Sequence, residues 1–236
     1  VICKEYDLKL KILIPRTQSK EKKDTLVKLG AELIEVDAVP YSNPNNYIKQ
    51  SEKLAIKLSG KNKNGVLWAN QFDNLANLEA HIKTTAEEIW NQTAGKIDAF
   101  TCAVGTGGTL AGVSRFLKQQ NPAIEILLAD PMGSALYNFV STGEATMTPG
   151  PSITEGIGNS RVTDNLSGTE IDGAVQIQDQ DMVNIVYRLL SEDGWFMGSS
   201  SGINLCGAVK AAERLGPGHT IVTMLCDDGS KYQSRL

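Results

Sequence analysis

Short apolar runs alternate with amphipathic ones along most of the chain, which is the pattern of buried strands covered by helices. Residues 8–14 predict a first strand stopped by Pro15, which cannot donate to a ladder. Ser19 then caps a helix that runs to Leu29 and closes at Gly30, and residues 31–36 form a second strand. An amphipathic helix over 47–58 leads to the turn at 60–65, and Val66-Leu67-Trp68 begins a third strand. Further along, Asn77 caps a helix over 78–91, followed by a strand at 99–104, a helix at 109–120 and a strand at 125–128 ending on Ala129-Asp130-Pro131.

The Gly- and Pro-rich stretch 141–168 breaks the rhythm and reads as a functional loop. A strand at 173–177, a helix over 182–192 capped by Asp179, a helix over 203–215 opened by residues 198–202, and a strand at 220–225 complete the chain. The sum is an α/β protein of two lobes, each with a mainly parallel sheet flanked by helices.

Within that pattern Val104-Gly105-Thr106-Gly107-Gly108-Thr109-Leu110 is a strand, glycine turn and helix start. Glycines permit positive φ and close backbone approach, so successive N–H groups are free to converge at the positive end of the helix, where a phosphate binds. A dinucleotide fingerprint would need glycine where Leu110 stands, although Asp130 sits at the end of the next strand, where a ribose-binding acid belongs. A nicotinamide-dependent oxidoreductase therefore stays open as a rival.

The 236 residues suffice for one large domain or two lobes, at an ordinary 41% hydrophobic and 21% charged. A net charge of -4 argues against nucleic acid or an anionic membrane as partner, and the basic run 20–23 reads as a solvated helix face. No apolar segment is long enough to span a bilayer, and the start is no signal peptide, so a cytoplasmic protein is expected. Cys3, Cys102, Cys206 and Cys226 lack C-x-x-C spacing, and His81 and His219 lie far apart, so no metal site or disulfide framework is expected. His81, beside Lys83, reads as a surface group, and no G-x-S-x-G elbow supplies a nucleophile. The opening residues look like the end of a helix without an earlier strand, an expectation that a segment precedes Val1.

Three further stretches offer ligand chemistry. Ser199-Ser200-Ser201-Gly202 places more hydroxyls at a helix start than capping requires. Glu155-Gly156-Ile157-Gly158 reads either as a positive-φ loop or as bare backbone set against a ligand, and Gln71-Phe72-Asp73-Asn74 either as a source of turn hydrogen bonds alone or as an amide offered to a carboxylate.

Taken in order with the ending Cys226-Asp227-Asp228-Gly229-Ser230-Lys231-Tyr232 and with Lys83-Thr84-Thr85-Ala86-Glu87-Glu88-Ile89-Trp90, these motifs resemble the cysteine synthase (O-acetylserine sulfhydrylase) and cystathionine β-synthase family. The resemblance runs from about Lys9 to the end. It implies a tryptophan synthase β-like, fold type II enzyme with pyridoxal 5'-phosphate as cofactor, working as a cytoplasmic homodimer on an amino acid and sulfide or a thiol.

On this resemblance residues 1–70 are the remainder of a smaller N-terminal domain and 71–236 a larger cofactor-binding domain. Gly105, Thr106, Gly107, Gly108 and Thr109 hold the cofactor phosphate, and Ser201 faces the pyridine nitrogen. Gln71, Gly156, Ile157 and Gly158 meet the substrate. The implied reaction is β-replacement on an O-activated serine through an aminoacrylate, forming cysteine from O-acetylserine and sulfide. A cystathionine β-synthase, a serine/threonine dehydratase or a racemase of the same fold is the alternative. The family's Schiff-base lysine has no counterpart here and is expected to lie outside this sequence, which leaves the catalytic residue unknown and also admits a non-catalytic ligand-binding homologue.

Overall fold

The computed structural model describes residues 1–234, which fall into two units: Val1–Asn70 joined by the residues from Ser230, and Gln71–Gly229. In the first unit, α1 (Ile2–Glu5) precedes β1 (Lys11–Pro15), and α2 (Lys20–Lys28) leads to β2 (Glu32–Val36). The strands pair in parallel from Lys11↔Glu32 to Pro15↔Val36. Ser19 is the N-cap of α2, but its hydroxyl donates to the Lys231 carbonyl at 2.9 Å instead of capping. Ser234 likewise returns to Glu21. The basic run is neutralised in part by Lys20–Asp24 and Lys23–Glu35 pairs.

Helix α3 (Tyr47–Ser59) starts at Asn46, whose Oδ1 accepts from the Ile48 N–H at 3.0 Å. The third strand expected at Val66 does not form. Leu67 is 88% exposed, and Trp68 uses its indole N–H on the Ser51 hydroxyl of α3 at 3.0 Å, so the apolar triplet has no sheet edge to join.

The second unit contains α4 (Ala76–Lys83), α5 (Thr85–Gln92), β3 (Ala99–Cys102), α6 (Gly108–Gln120), β4 (Glu125–Pro131), α7 (Leu136–Thr142), β5 (Gly173–Ile177), α8 (Asp179–Arg188), α9 (Ser199–Leu215) and β6 (Ile221–Thr223). Its four strands lie in the order β5-β4-β3-β6, every pair parallel. Side chains alternate between the two faces. Phe100, Cys102, Ile126 and Leu128 pack with Leu110, Val113 and Leu117 of α6 and Ile89 of α5. On the opposite face Thr101 and Ala129 receive α9 at Gly207, where an added Cβ would lie 2.6 Å from that of Ala129. With both faces covered, ligand groups have access only at the strand ends.

Local chemistry shifts several boundaries. The helix expected over 78–91 is two helices broken at Thr84, whose hydroxyl donates to the Ala80 carbonyl at 2.8 Å while its backbone turns to φ -127°. Paired β-branched hydroxyl residues compete with the helix in this way. Asp179 begins α8, and its carboxylate accepts instead from the Ser152 hydroxyl at 2.6 Å and the Ile153 N–H at 2.8 Å. A short π-helix, Leu189–Asp193, ends that helix. From 143 to 172 there is neither helix nor strand. Among the described residues no helix is long and apolar enough to cross a membrane.

Candidate active site

The turn between β3 and α6 is shaped by what surrounds its glycines. A Cβ on Gly105 would lie 2.2 Å from the Gly156 carbonyl oxygen, and one on Gly108 2.1 Å from Asn77 Oδ1. Gly107, the N-cap of α6, has φ +92°, a left-handed geometry that glycine adopts without steric cost. No larger residue fits these positions without displacing the segments that hold the turn.

Three consecutive carbonyls of the turn are gripped by one distant segment. The Gly158 N–H donates to Val104 O at 2.9 Å, Asn159 Nδ2 to Gly105 O at 2.5 Å, and Thr163 Oγ1 to Thr106 O at 2.7 Å. The N–H groups of Gly105, Thr106 and Gly107 make no hydrogen bond among the described residues. They are a row of donors beside the N-terminus of α6, the composition of an anion site.

Two hydroxyls flank these donors. Thr106 Oγ1 accepts from Asn77 Nδ2 at 2.9 Å. Thr109 Oγ1 lies 3.2 Å from His81 Nε2, and His81 Nδ1 lies 2.9 Å from Thr85 Oγ1. Contrary to the expectation of a surface group, His81 is half-buried between two hydroxyls, and burial lowers its pKa below the usual 6.5.

Gln71 is brought beside this turn. Asn77 Nδ2 donates both to Thr106 Oγ1 and, at 2.9 Å, to the Gln71 carbonyl. Asn165 Nδ2 donates to the carbonyls of Gln71 and Phe72 at 3.0 and 2.7 Å, leaving the exposed Gln71 side chain unengaged by those contacts. Asn77, expected as a helix cap, is thus a bridge, and the first turn of α4 is held instead by Asn74 Oδ1, which accepts from the Ala76 N–H at 3.1 Å, and Asn165 Oδ1, which accepts from the Leu78 N–H at 3.3 Å. Gly156 has φ +81° and open space where a Cβ would stand, Ile157 is half-buried, and a Cβ on Gly158 would lie 2.9 Å from Pro131 Cγ.

Ser201 lies in the first turn of α9, wholly buried, and its Oγ accepts from the Cys226 N–H at 2.8 Å. With that lone pair used, the hydroxyl hydrogen is free for an acceptor. One turn on, Asn204 accepts from the Ala103 N–H at 2.7 Å and donates to Met224 O at 2.7 Å, joining the serine turn to the strand end that enters the glycine loop. The N-cap of α9 is Gly198, so the three buried serines are not spent on capping. Asp130, the acid required by the dinucleotide rival, is fully buried and accepts from the Tyr137 N–H of α7 at 2.8 Å, which removes it from any ribose.

Sequence reasoning missed Asn159, Arg161, Thr163, Asn165 and Asn204. The first four fall in the stretch read only as a functional loop and Asn204 within an expected helix, and a side chain that holds a group 20 or more residues away leaves no local pattern.

Residues 1–227 match the family model described as pyridoxal-phosphate dependent enzyme. The chain is 47% identical over its full length to Cysteine synthase 1 of Neurospora crassa and 46% identical to Cysteine synthase 1 of Emericella nidulans. It spans 62% and 63% of the length of those relatives. Among solved structures, an O-acetylserine dependent cystathionine beta-synthase from Helicobacter pylori superposes with a TM-score of 0.85 at 31% identity, covering 99% of this chain and 71% of that one. An O-ureido-L-serine synthase superposes with a TM-score of 0.83 at 28% identity, covering 99% and 69%.

Proposed function

The chain belongs to the pyridoxal-phosphate dependent enzyme family, and we propose that it serves a β-replacement reaction in which an O-activated serine, O-acetylserine, and sulfide give cysteine. The observation that carries this reading is the row of free donors at Gly105, Thr106 and Gly107 in a chain 47% identical to a cysteine synthase.

The residues present fit the cofactor. The three N–H groups, with the hydroxyls of Thr106 and Thr109 and the glycine at 108 that leaves room for the turn, hold a phosphate dianion. Ser201 donates its hydroxyl hydrogen to the ring nitrogen. A neutral partner of this kind leaves that nitrogen unprotonated, where a carboxylate would keep it charged. Pyridoxal phosphate, when bound, supplies an electron sink for bonds broken at the amino-acid α-carbon, tempered here by the uncharged nitrogen.

Gln71 holds the substrate α-carboxylate through its side-chain amide. The Gly156–Gly158 backbone lines the substrate face, where side chains would obstruct the amino acid. In this reading residues 71–236 are the cofactor-binding domain, with the stretch from Ser230 returning to the first unit, and 1–70 belong to the smaller domain, in a cytoplasmic homodimer.

A second reading has an observation of its own, the superposition on an O-acetylserine dependent cystathionine beta-synthase. One experiment separates the two. The protein purified from its native source is given O-acetylserine with sulfide and homocysteine together at equal concentration, and the products are identified by mass spectrometry. Cysteine as the dominant product, with visible cofactor absorbance that shifts on adding O-acetylserine, is expected. Cystathionine as the dominant product moves the assignment to the second reading, and absence of the cofactor overturns both.

A further inference from the structure

The three gripped carbonyls have a geometric consequence. In a trans peptide the C=O and the next residue's N–H point in opposite directions, and no peptide in the described chain is cis. Holding the oxygens of Val104, Gly105 and Thr106 from one side therefore turns the N–H groups of Gly105, Thr106 and Gly107 to the other.

We propose that residues 158–163 are a clamp that sets the donor face of the glycine loop, with Asn159 and Thr163 as positioning residues for a phosphate group bound there. This rests on the cofactor reading above and deepens it. Glycines at 105 and 107 leave the intervening peptides little steric resistance to rotation. A flip of the Gly105–Thr106 peptide would point a carbonyl oxygen at the anion in place of a donor. The Asn159 amide prevents that flip by engaging the Gly105 oxygen.

Asn159 is itself anchored independently of the loop. Its N–H donates to Ser134 Oγ at 3.1 Å, and its carbonyl accepts from the Ala135 N–H at 2.7 Å and from Ser134 Oγ at 3.2 Å. Since Gly158 is one jaw of the clamp and is continuous with Gly156 and Ile157, order in that segment and the hold on phosphate are linked reciprocally.

The test compares pyridoxine 5'-phosphate with pyridoxine, which differ only in the phosphate, by titration calorimetry on the protein and on Asn159→Ala, Thr163→Val and Thr163→Ser. The unsubstituted protein is expected to prefer the phosphorylated ligand. Asn159→Ala and Thr163→Val each reduce that preference by about ten-fold, the scale of one charge-assisted hydrogen bond. Pyridoxine affinity stays unchanged, and Thr163→Ser, which keeps the hydroxyl, behaves as the parent. Hydrogen exchange at 156–158 should slow when the phosphorylated ligand binds the parent, and should not respond in Asn159→Ala.

An undiminished phosphate preference in both variants overturns the clamp, as does an equal loss of both ligands. If Asn159→Ala melts without ligand, the Thr163→Val and Thr163→Ser pair decides. A parent that does not distinguish the two ligands overturns the cofactor reading and the clamp with it, whereas a discriminating parent with unaltered variants overturns the clamp alone.

Discussion

Arg161 grips Asp73 at two points, Nη1 to Oδ1 at 2.9 Å and Nη2 to Oδ2 at 2.7 Å, across 88 positions of sequence. The pair joins the stretch carrying Gln71 to the segment that clamps the glycine loop. Burial by itself would raise the Asp73 pKa, but the Arg161 guanidinium and the Asp164 N–H outweigh it and hold the carboxyl below its usual 3.8. Its contribution to stability is therefore present above the unfolded-state value and lost as pH falls through the lowered folded-state one. Asp73→Asn should cost about 2 kcal/mol at pH 7 and flatten the acid limb of a denaturation series below pH 4. An unchanged urea midpoint would remove the pair from the site's support.

His81 should make stability depend on pH in the opposite range. Its pKa is lowered by burial, so the unfolded chain takes up the proton first and stability declines as pH falls through about 6.5. His81→Gln, which cannot titrate, should lose that decline. Urea midpoints at pH 7.5 and 5.5 in the two proteins measure it, and identical slopes would refute the burial argument.

Asp130 works with the reverse sign. Burial pushes its carboxyl up to about 6, against the Ser134 hydroxyl and the Tyr137 N–H, which pull it down. A raised folded-state pKa means stability that is complete below the unfolded value and lost as pH rises through about 6. Asp130→Asn keeps an acceptor for α7 and should remove a loss of roughly 1 kcal/mol between pH 5 and 7. A substitution that leaves the pH profile unaltered would show the carboxyl ionised throughout that range.

Two glycine substitutions should separate steric from conformational cost. Alanine at Gly105 meets backbone 2.2 Å away and must push the 156–159 segment aside, a cost of about 3 kcal/mol with loss of the carbonyl grip. Alanine at Gly143, with φ +84° and no heavy atom within 4 Å, pays only the left-handed penalty of about 1 kcal/mol. Thermal melts that rank Gly143→Ala as the more damaging would contradict this.

The alternation of strands and helices was legible because buried parallel strands are continuous apolar runs, as β3 and β4 show in Phe100 and Leu127. The glycine turn was legible for a similar reason, since only glycine fits beside Gly156 and Asn77. Val66-Leu67-Trp68 misled because apolar residues alone do not provide a neighbouring strand. Asn77 misled because its position before a periodic run matched a cap while its amide was needed between Gln71 and Thr106. Asn159 and Thr163 were illegible in kind, since each acts on a carbonyl more than 50 residues away.

On the proposed reading a cofactor phosphate is seated on the backbone N–H groups of Gly105, Thr106 and Gly107. Amide chemical shifts of the isotopically labelled protein test it most directly, recorded while pyridoxal 5'-phosphate and then pyridoxal are added. The prediction is that these three N–H resonances move downfield with the phosphorylated compound and barely move with the other. Shifts of equal size with both, or large shifts confined to residues elsewhere in the chain, would contradict it.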